Sequence, residues 1–331
     1  MAAKSAAIAT PAAAQAAATD LLRAGNAVDA VVGAVLAVAA AEASVLLGPL
    51  SVLVAGRGAG ARAFDGRVRQ PGKGAPRPRG FKDGESIPDA ARVGAPSLPA
   101  ALFGAHAAFG SLSMLRVAGA ALDASKKTPR GEVLQAVVTR GPLALSERGI
   151  GGELVAVVGR LEGGLLTLDD LGDPEIGAHA ASRASLGGGE VAYAPWAGES
   201  MDATHAHVVL AADWHGTIAC ASFEAPGDGV SVEALGLVAP FGAAPVKRGE
   251  TRVAPGVPLD AAAPLAVREE AGKATVALGW TGARFERAAL LAWLGDVQWL
   301  VDDAPPAGLT AGRLSAVVPG EPARALARAR A

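Results

Sequence analysis

Residues 199–222 read ESMDATHAHVVLAADWHGTIACAS, and the fold turns on how this stretch is read. It contains three of the chain's five histidines and its only cysteine, Cys220. Val208-Val209 and Ile218 to Ser222 are apolar runs separated by Asp213 to Gly216, which predicts a β-hairpin with a somewhat long loop. Residues just before Val208 then stand at the entry of a strand, where a reactive group would be rigid yet reachable. Upstream lie Ala-rich helical patterns and basic loops. Downstream come short strand-like runs cut by Gly and Pro.

The bulk composition suits a packed α+β protein. Of 331 residues, 51% are hydrophobic, so a real core is expected and global disorder is not. Aromatics make up only 4% and glycines number 43, so Ala, Val and Leu must build that core at close backbone spacing. A formal charge of −2 gives no electrostatic footprint for nucleic acid or an anionic membrane. One cysteine excludes an intrachain disulfide. Met1 to Gln15 has no signal-peptide pattern. The greasiest run, Ala30 to Ala41, falls short of the ~20 residues a bilayer needs and reads as a buried helix. A cytoplasmic setting is the expectation.

Along the chain, Ser5 to Ala24 reads as helical. Gly25-Asn26 breaks it, and Asn26 is placed to cap a second helix over Ala27 to Ala41. Leu50 to Ala55 and Ala61 to Phe64 read as a strand pair. Arg67 to Lys82 is a basic loop whose cations suit either an anion or solvent. Helical pieces follow at Ala100 to Phe109, Leu112 to Leu122, Glu132 to Thr139 and Glu153 to Leu161, then an acidic turn at Asp169-Asp170-Leu171. Ala178 to Glu199, rich in Gly, Ala and Ser, reads as a linker, and Gly227 to Gly256 as irregular. Leu265 to Arg268 and Thr275 to Leu278 pair as strands. Gly279-Trp280-Thr281-Gly282 reads as a tight turn before a helix over Arg284 to Leu294, and Ala323 to Arg330 as a basic helical tail.

Several of these pieces, in this order, resemble the γ-glutamyltransferase family of N-terminal-nucleophile hydrolases. Leu22-Arg-Ala-Gly25-Asn26-Ala-Val-Asp29-Ala30 is similar to its L-x-x-G-G-N-A-V-D-A. Asp65-Gly-Arg67-x-x-x-Pro71 resembles D-x-R-E-x-A-P, and Pro96-Ser-Leu-Pro99 with His106 and Phe109-Gly110-Ser-Leu112 resembles V-P-G…H…F-G-x-L. Gly163 to Leu171 resembles G-G-x-x-T-x-x-D-L, and Ala203-Thr204-His205-Ala-His207-Val208-Val209 resembles T-T-H-x-S-V-V-D. Pro258-Leu259 with Pro264 resembles P-L-S-S-x-x-P, and Gly279-Trp-Thr-Gly282-Ala-Arg284 resembles G-S-P-G-G-S-R. The resemblance implies a four-layer αββα sandwich, with residues 1–177 as a large-subunit-like portion, 178–202 as a shortened linker and 203–331 as a small-subunit-like portion.

In that family the precursor cuts itself before a Thr. The freed hydroxyl attacks a γ-glutamyl amide, such as that of glutathione, with the Thr α-amine as base. Two glycine amides stabilise the oxyanion, and an arginine clamps the substrate carboxylate. Here the nucleophile position falls on Ala203, which has no hydroxyl. Thr204 keeps one but would need a one-residue shift of register. Thr281 and Gly282 take the two oxyanion positions, Arg67 takes the clamp, and Asp260 and Ala261 stand where the family has paired serines. Leu235 to Gly242 offers no counterpart to the family's amine-binding stretch. The implied function is therefore a γ-glutamyltransferase-like protein, unprocessed and without turnover, with a small γ-glutamyl ligand or self-assembly as its remaining role. The alternative is an active γ-glutamyl hydrolase or transferase using Thr204. No cofactor is expected. A metal site on His205, His207 and His215 is a remote third reading, because no Cys or carboxylate cluster completes it.

Overall fold

A computed structural model describes residues 4–56, 60–174, 177–302, 306, 308–309 and 311–330. The strands are β1 (Ala6–Ala9), β2 (Leu50–Ala55), β3 (Arg62–Gly66), β4 (Ala178–Ala180), β5 (Ser182–Leu186), β6 (Gly189–Tyr193), β7 (Ser200–Asp202), β8 (Ala206–Ala212), β9 (Ile218–Glu224), β10 (Gly229–Val232), β11 (Leu237–Pro240), β12 (Leu265–Glu270), β13 (Lys273–Thr281), β14 (Arg284–Glu286), β15 (Gly312–Val318) and β16 (Arg324–Arg330). The helices are α1 (Ala12–Ala24), α2 (Ala27–Ala41), α3 (Leu98–Phe109), α4 (Met114–Val117), α5 (Gly119–Ala124), α6 (Pro129–Arg140), α7 (Arg148–Val158), α8 (Leu168–Gly172) and α9 (Arg287–Gly295). Two six-stranded antiparallel sheets form the centre, ordered β1-β8-β9-β2-β3-β4 and β16-β15-β13-β12-β6-β5.

Side-chain alternation along the strands builds the layers. On β8, Val209 and Ala211 face the helices α1 to α3, while Val208, Leu210 and Ala212 face the second sheet. On β2, Val52 and Val54 take the helix side and Leu53 and Ala55 the sheet side. On β13, Ala277 points between the sheets, and Val276, Leu278 and Trp280 point outward onto Leu290 and Trp293 of α9. Helix, sheet, sheet, helix is the four-layer αββα order expected from the sequence. Small residues let the sheets approach closely. A Cβ built on Gly279 would stand 3.1 Å from the Val208 side chain.

The hairpin β8–β9 forms as read, with Val208 opposite Ser222 and Ala212 opposite Ile218. Helix α2 has the expected limits, because the Asn26 side chain accepts from the N–H groups of Val28 and Asp29 while Asp29 reciprocates on the Asn26 N–H. All but one of its residues are apolar and all are buried except Ala41, and among the described residues no helix is long and apolar enough to cross a membrane.

Five readings are corrected. The supposedly irregular stretch 227–256 holds the hairpin β10–β11, with Gly229 opposite Pro240 and Val232 opposite Leu237. The start of the supposed first helix is β1, paired with β8 from Ala6↔Ala212 to Ala9↔Val209, and Pro11 sets where α1 begins. The supposed linker 178–199 holds β4, at the edge of the first sheet, and the hairpin β5–β6, at the edge of the second. Gly279 to Thr281 continues β13 rather than turning, and β14 precedes α9. The basic tail is β16, in seven-residue register with β15. For β1 pairing with a strand about 200 positions away overrides local Ala propensity, whereas β5–β6 and β15–β16 are antiparallel neighbours whose pairing overrides local composition. Arginines on β16 suit an edge strand, since edge charge discourages further pairing.

Candidate active site

The site forms where β7 ends and β8 begins. Pairing of β7 with β14 sets Asp202 opposite Arg284. The Asp202 carboxylate then closes a tight turn, with its Oδ1 accepting from the Thr204 N–H at 2.9 Å and from the Thr204 hydroxyl at 2.6 Å. Those two donors hold the Asp202 carboxyl below the usual carboxylate range. Thr204 and His205 are exposed. Ala203 is fully buried, and its methyl belongs to the apolar cluster that includes Ala262 and Phe285. Alternation between neighbours thus sends the two candidate side chains in opposite directions.

The carbonyl of Ala203 faces inward. It accepts from the Gly282 N–H at 2.9 Å and from the Ala206 N–H at 3.2 Å. Gly282 adopts φ +83°, the left-handed region that favours glycine. Thr281 is buried as the last residue of β13. Of the two backbone donors expected to face an oxyanion, the Gly282 N–H is therefore occupied by the protein's own chain.

Backbone contacts tie the remaining segments together. The Leu259 N–H donates to the Val68 carbonyl at 2.9 Å, next to Arg67. Asp260 is exposed and Ala261 buried. The N–H of the following residue, Ala262, donates to Oε1 of Glu224 at 3.1 Å, and Glu224 lies opposite Ala206. One edge of the Arg67 fork is engaged: Nε and Nη2 donate to the two oxygens of Asp65 at 3.0 and 2.9 Å. Its guanidinium also lies 5.1 Å from the Trp196 ring centre, and the Trp196 indole N–H donates to Ser51 at 2.8 Å. Arg284 is exposed, with its Nε donating to the Ser200 hydroxyl at 2.7 Å.

Sequence reasoning missed Glu224, Asp202 and Trp196. Burial pushes the Glu224 carboxyl up, Asp202 adds to that, and the Ala262 N–H and nearby His205 oppose it. A carboxylate ending the apolar run Ile218 to Phe223 was the available signal. The histidines do not converge. His207 is half-buried against Phe223 with Nδ1 3.3 Å from the Thr10 hydroxyl, and His215 stacks on Trp214. Among the described residues no three His, Cys, Asp or Glu side chains form a metal-binding group. Cys220 is buried and inert, its thiol pushed up by desolvation.

No family model and no curated protein sequence matches this chain. Solved structures do. A cephalosporin acylase from Bacillus halodurans superposes at a TM-score of 0.69 with 12% identity, over 85% of this chain and 78% of its own. LmbA2991HD superposes at 0.72 with 13% identity, over 99% of this chain and 98% of its own. A γ-glutamyltranspeptidase from Pseudomonas nitroreducens overlaps 57% of this chain and 71% of its own at 22% identity, with a TM-score of 0.48. At these identities the first two likenesses establish architecture: the chain has the fold of N-terminal-nucleophile hydrolases.

Proposed function

We propose that this chain is an unprocessed γ-glutamyltransferase-like protein without turnover. The observation that carries the reading is the buried methyl of Ala203 where the class requires an attacking hydroxyl. Two features support it. The Gly282 N–H is engaged by the Ala203 carbonyl and is not free for an oxyanion, and one edge of the Arg67 fork is taken by Asp65, which leaves it fewer donors for a substrate carboxylate. What remains is retention of a small γ-glutamyl compound without reaction, or assembly with a second copy of the chain. The proposal includes a cytoplasmic location, which cell fractionation would test.

A second reading rests on the Ala203–Thr204 bond. Its carbonyl oxygen accepts two N–H groups, and the Thr204 hydroxyl lies on Asp202. Thr204 Oγ would bond to the Ala203 carbonyl carbon while Asp202 takes the hydroxyl proton. The C–N bond would then break and the nitrogen take that proton, giving an ester that water hydrolyses to an Ala203 carboxylate and a free Thr204 amine. Two things weigh against it: the lowered Asp202 carboxyl is a poor base, and Arg67 is already paired.

The intact mass of the purified protein separates the two readings. A single species at 32.7 kDa, with no release from a chromogenic γ-glutamyl amide, is expected. Two fragments, one beginning at Thr204, would replace the first reading with the second.

A further inference from the structure

The loop after Arg67 builds a cleft that shares no residue with the corner around Ala203. The loop lines one side, and the end of α7 with the turn into α8 lines the other, enclosing about 780 Å³. That volume lies within the roughly 300–1,000 Å³ of ordinary small-molecule sites.

The walls are fixed before any ligand arrives. Buried Asp170 accepts from the N–H groups of Gly72 at 2.8 Å and Lys73 at 2.9 Å, and the Thr167 hydroxyl donates to the Lys73 carbonyl at 2.9 Å. Farther along, the Phe81 N–H donates to the Val246 carbonyl at 2.8 Å, and the Arg248 N–H donates to the Phe81 carbonyl at 2.7 Å. A wall held this way loses little entropy on binding.

Chemically the cleft has two characters. Phe81, Val155, Leu165, Leu166 and Val246 give it apolar walls. Lys73, Arg77, Arg79 and Arg160 face only two lining carboxylates, Glu85 and Asp169. Arg79 is paired with Glu85, and Lys73 with Asp173. Arg77 and Arg160 are exposed and make no ion pair among the described residues. An excess of cationic donors over an apolar wall suits a ligand with the opposite layout.

We propose that this cleft binds a small organic anion, its aromatic or acyl body on the apolar walls and its carboxylate or sulfonate met by Arg77 and Arg160. The site is independent of the reading of Ala203.

The test uses the full chain and two fluorescent probes with the same rings, 8-anilinonaphthalene-1-sulfonate and its uncharged counterpart N-phenyl-1-naphthylamine. The sulfonate should bind saturably, more weakly as salt rises, and decanoate should displace it along a single-site curve. In the double variant Arg77→Gln/Arg160→Gln, sulfonate affinity should fall about tenfold, because charge-assisted contacts are the strong ones. The neutral probe should change by less than roughly twofold, since its apolar contacts are untouched. Both arginines are exposed, so the fold should hold, as circular dichroism would verify. Equal behaviour of the two probes in the variant, or failure of decanoate to displace the sulfonate, would overturn the proposal.

Discussion

Two carboxylates in this molecule sit where segments distant in sequence meet, and they are treated very differently. Asp29, at the start of α2, is fully buried. It accepts from the N–H groups of Asn26, Ser111 and Leu112 and from the Ser111 hydroxyl at 2.5 Å, and His106 lies 3.4 Å away. Burial alone would raise its pKa, but these partners outweigh it and hold the carboxyl far below the usual range. Glu224, beside Ala203, has one backbone donor and an acidic neighbour, and burial pushes it up. The carboxylate that ties α2 to the end of α3 is met by several donors. The carboxylate at the corner where chemistry would occur is not.

The comparison breaks most easily at Asp29. Asp29→Ala should cost about 3–5 kcal/mol, because it strands several buried donors at once. Urea unfolding would read the loss, and a cost below about 1 kcal/mol would mean that the network does not hold the frame. The pH dependence has a fixed sign. With the folded pKa below the ordinary 3.8, the Asp29 contribution is complete above that value and declines as pH falls below it toward the folded pKa. In Asp29→Ala this part of the acid limb should disappear.

Effects at the corner should be smaller. Ala203→Thr places a hydroxyl and a methyl in a closed apolar site, at a cost of about 1–3 kcal/mol. It should restore neither self-cleavage nor release from a chromogenic γ-glutamyl amide, because the Gly282 N–H stays engaged. Cleaved bands on a denaturing gel would sink that expectation. Gly282→Ala forces a side chain into φ +83° and should cost about 1–2 kcal/mol, read as a lowered melting temperature. A neutral result there would mean that the turn relaxes without strain.

How far the sequence reached follows the same division. Helix α2 was readable to the residue because its start is set locally, by Asn26 and Asp29. The hairpin β8–β9 was readable because alternation and turn are also local. Strands β1 and β16 were not, since Ala-rich segments look helical until the partner strand is known. The Gly282 position was marked by the motif resemblance, but its engagement with Ala203 was hidden, and Ala262 and Phe285 beside Ala203 were not marked at all. No residue type announces that Gly282 donates to Ala203, or that Glu224 is covered by a segment 38 positions away.

The smallest expected effect is at Glu224, and it is the sharpest probe of the incomplete corner. Its folded pKa lies above the ordinary 4.5, so its favourable contribution exists below that value and is lost as pH rises through the folded pKa. Folding partly desolvates this carboxyl beside Asp202, so ionising it is harder in the folded chain than in the unfolded one. Glu224→Gln keeps an oxygen for the Ala262 N–H and removes the charge. The variant should match the wild type near pH 4 and exceed it at pH 7, with the gap opening between. Paired urea titrations across that range would show it. A gap independent of pH, or a variant less stable at pH 7, would mean that the Glu224 carboxylate is better satisfied than its single backbone donor implies, and the contrast with Asp29 would lose its basis.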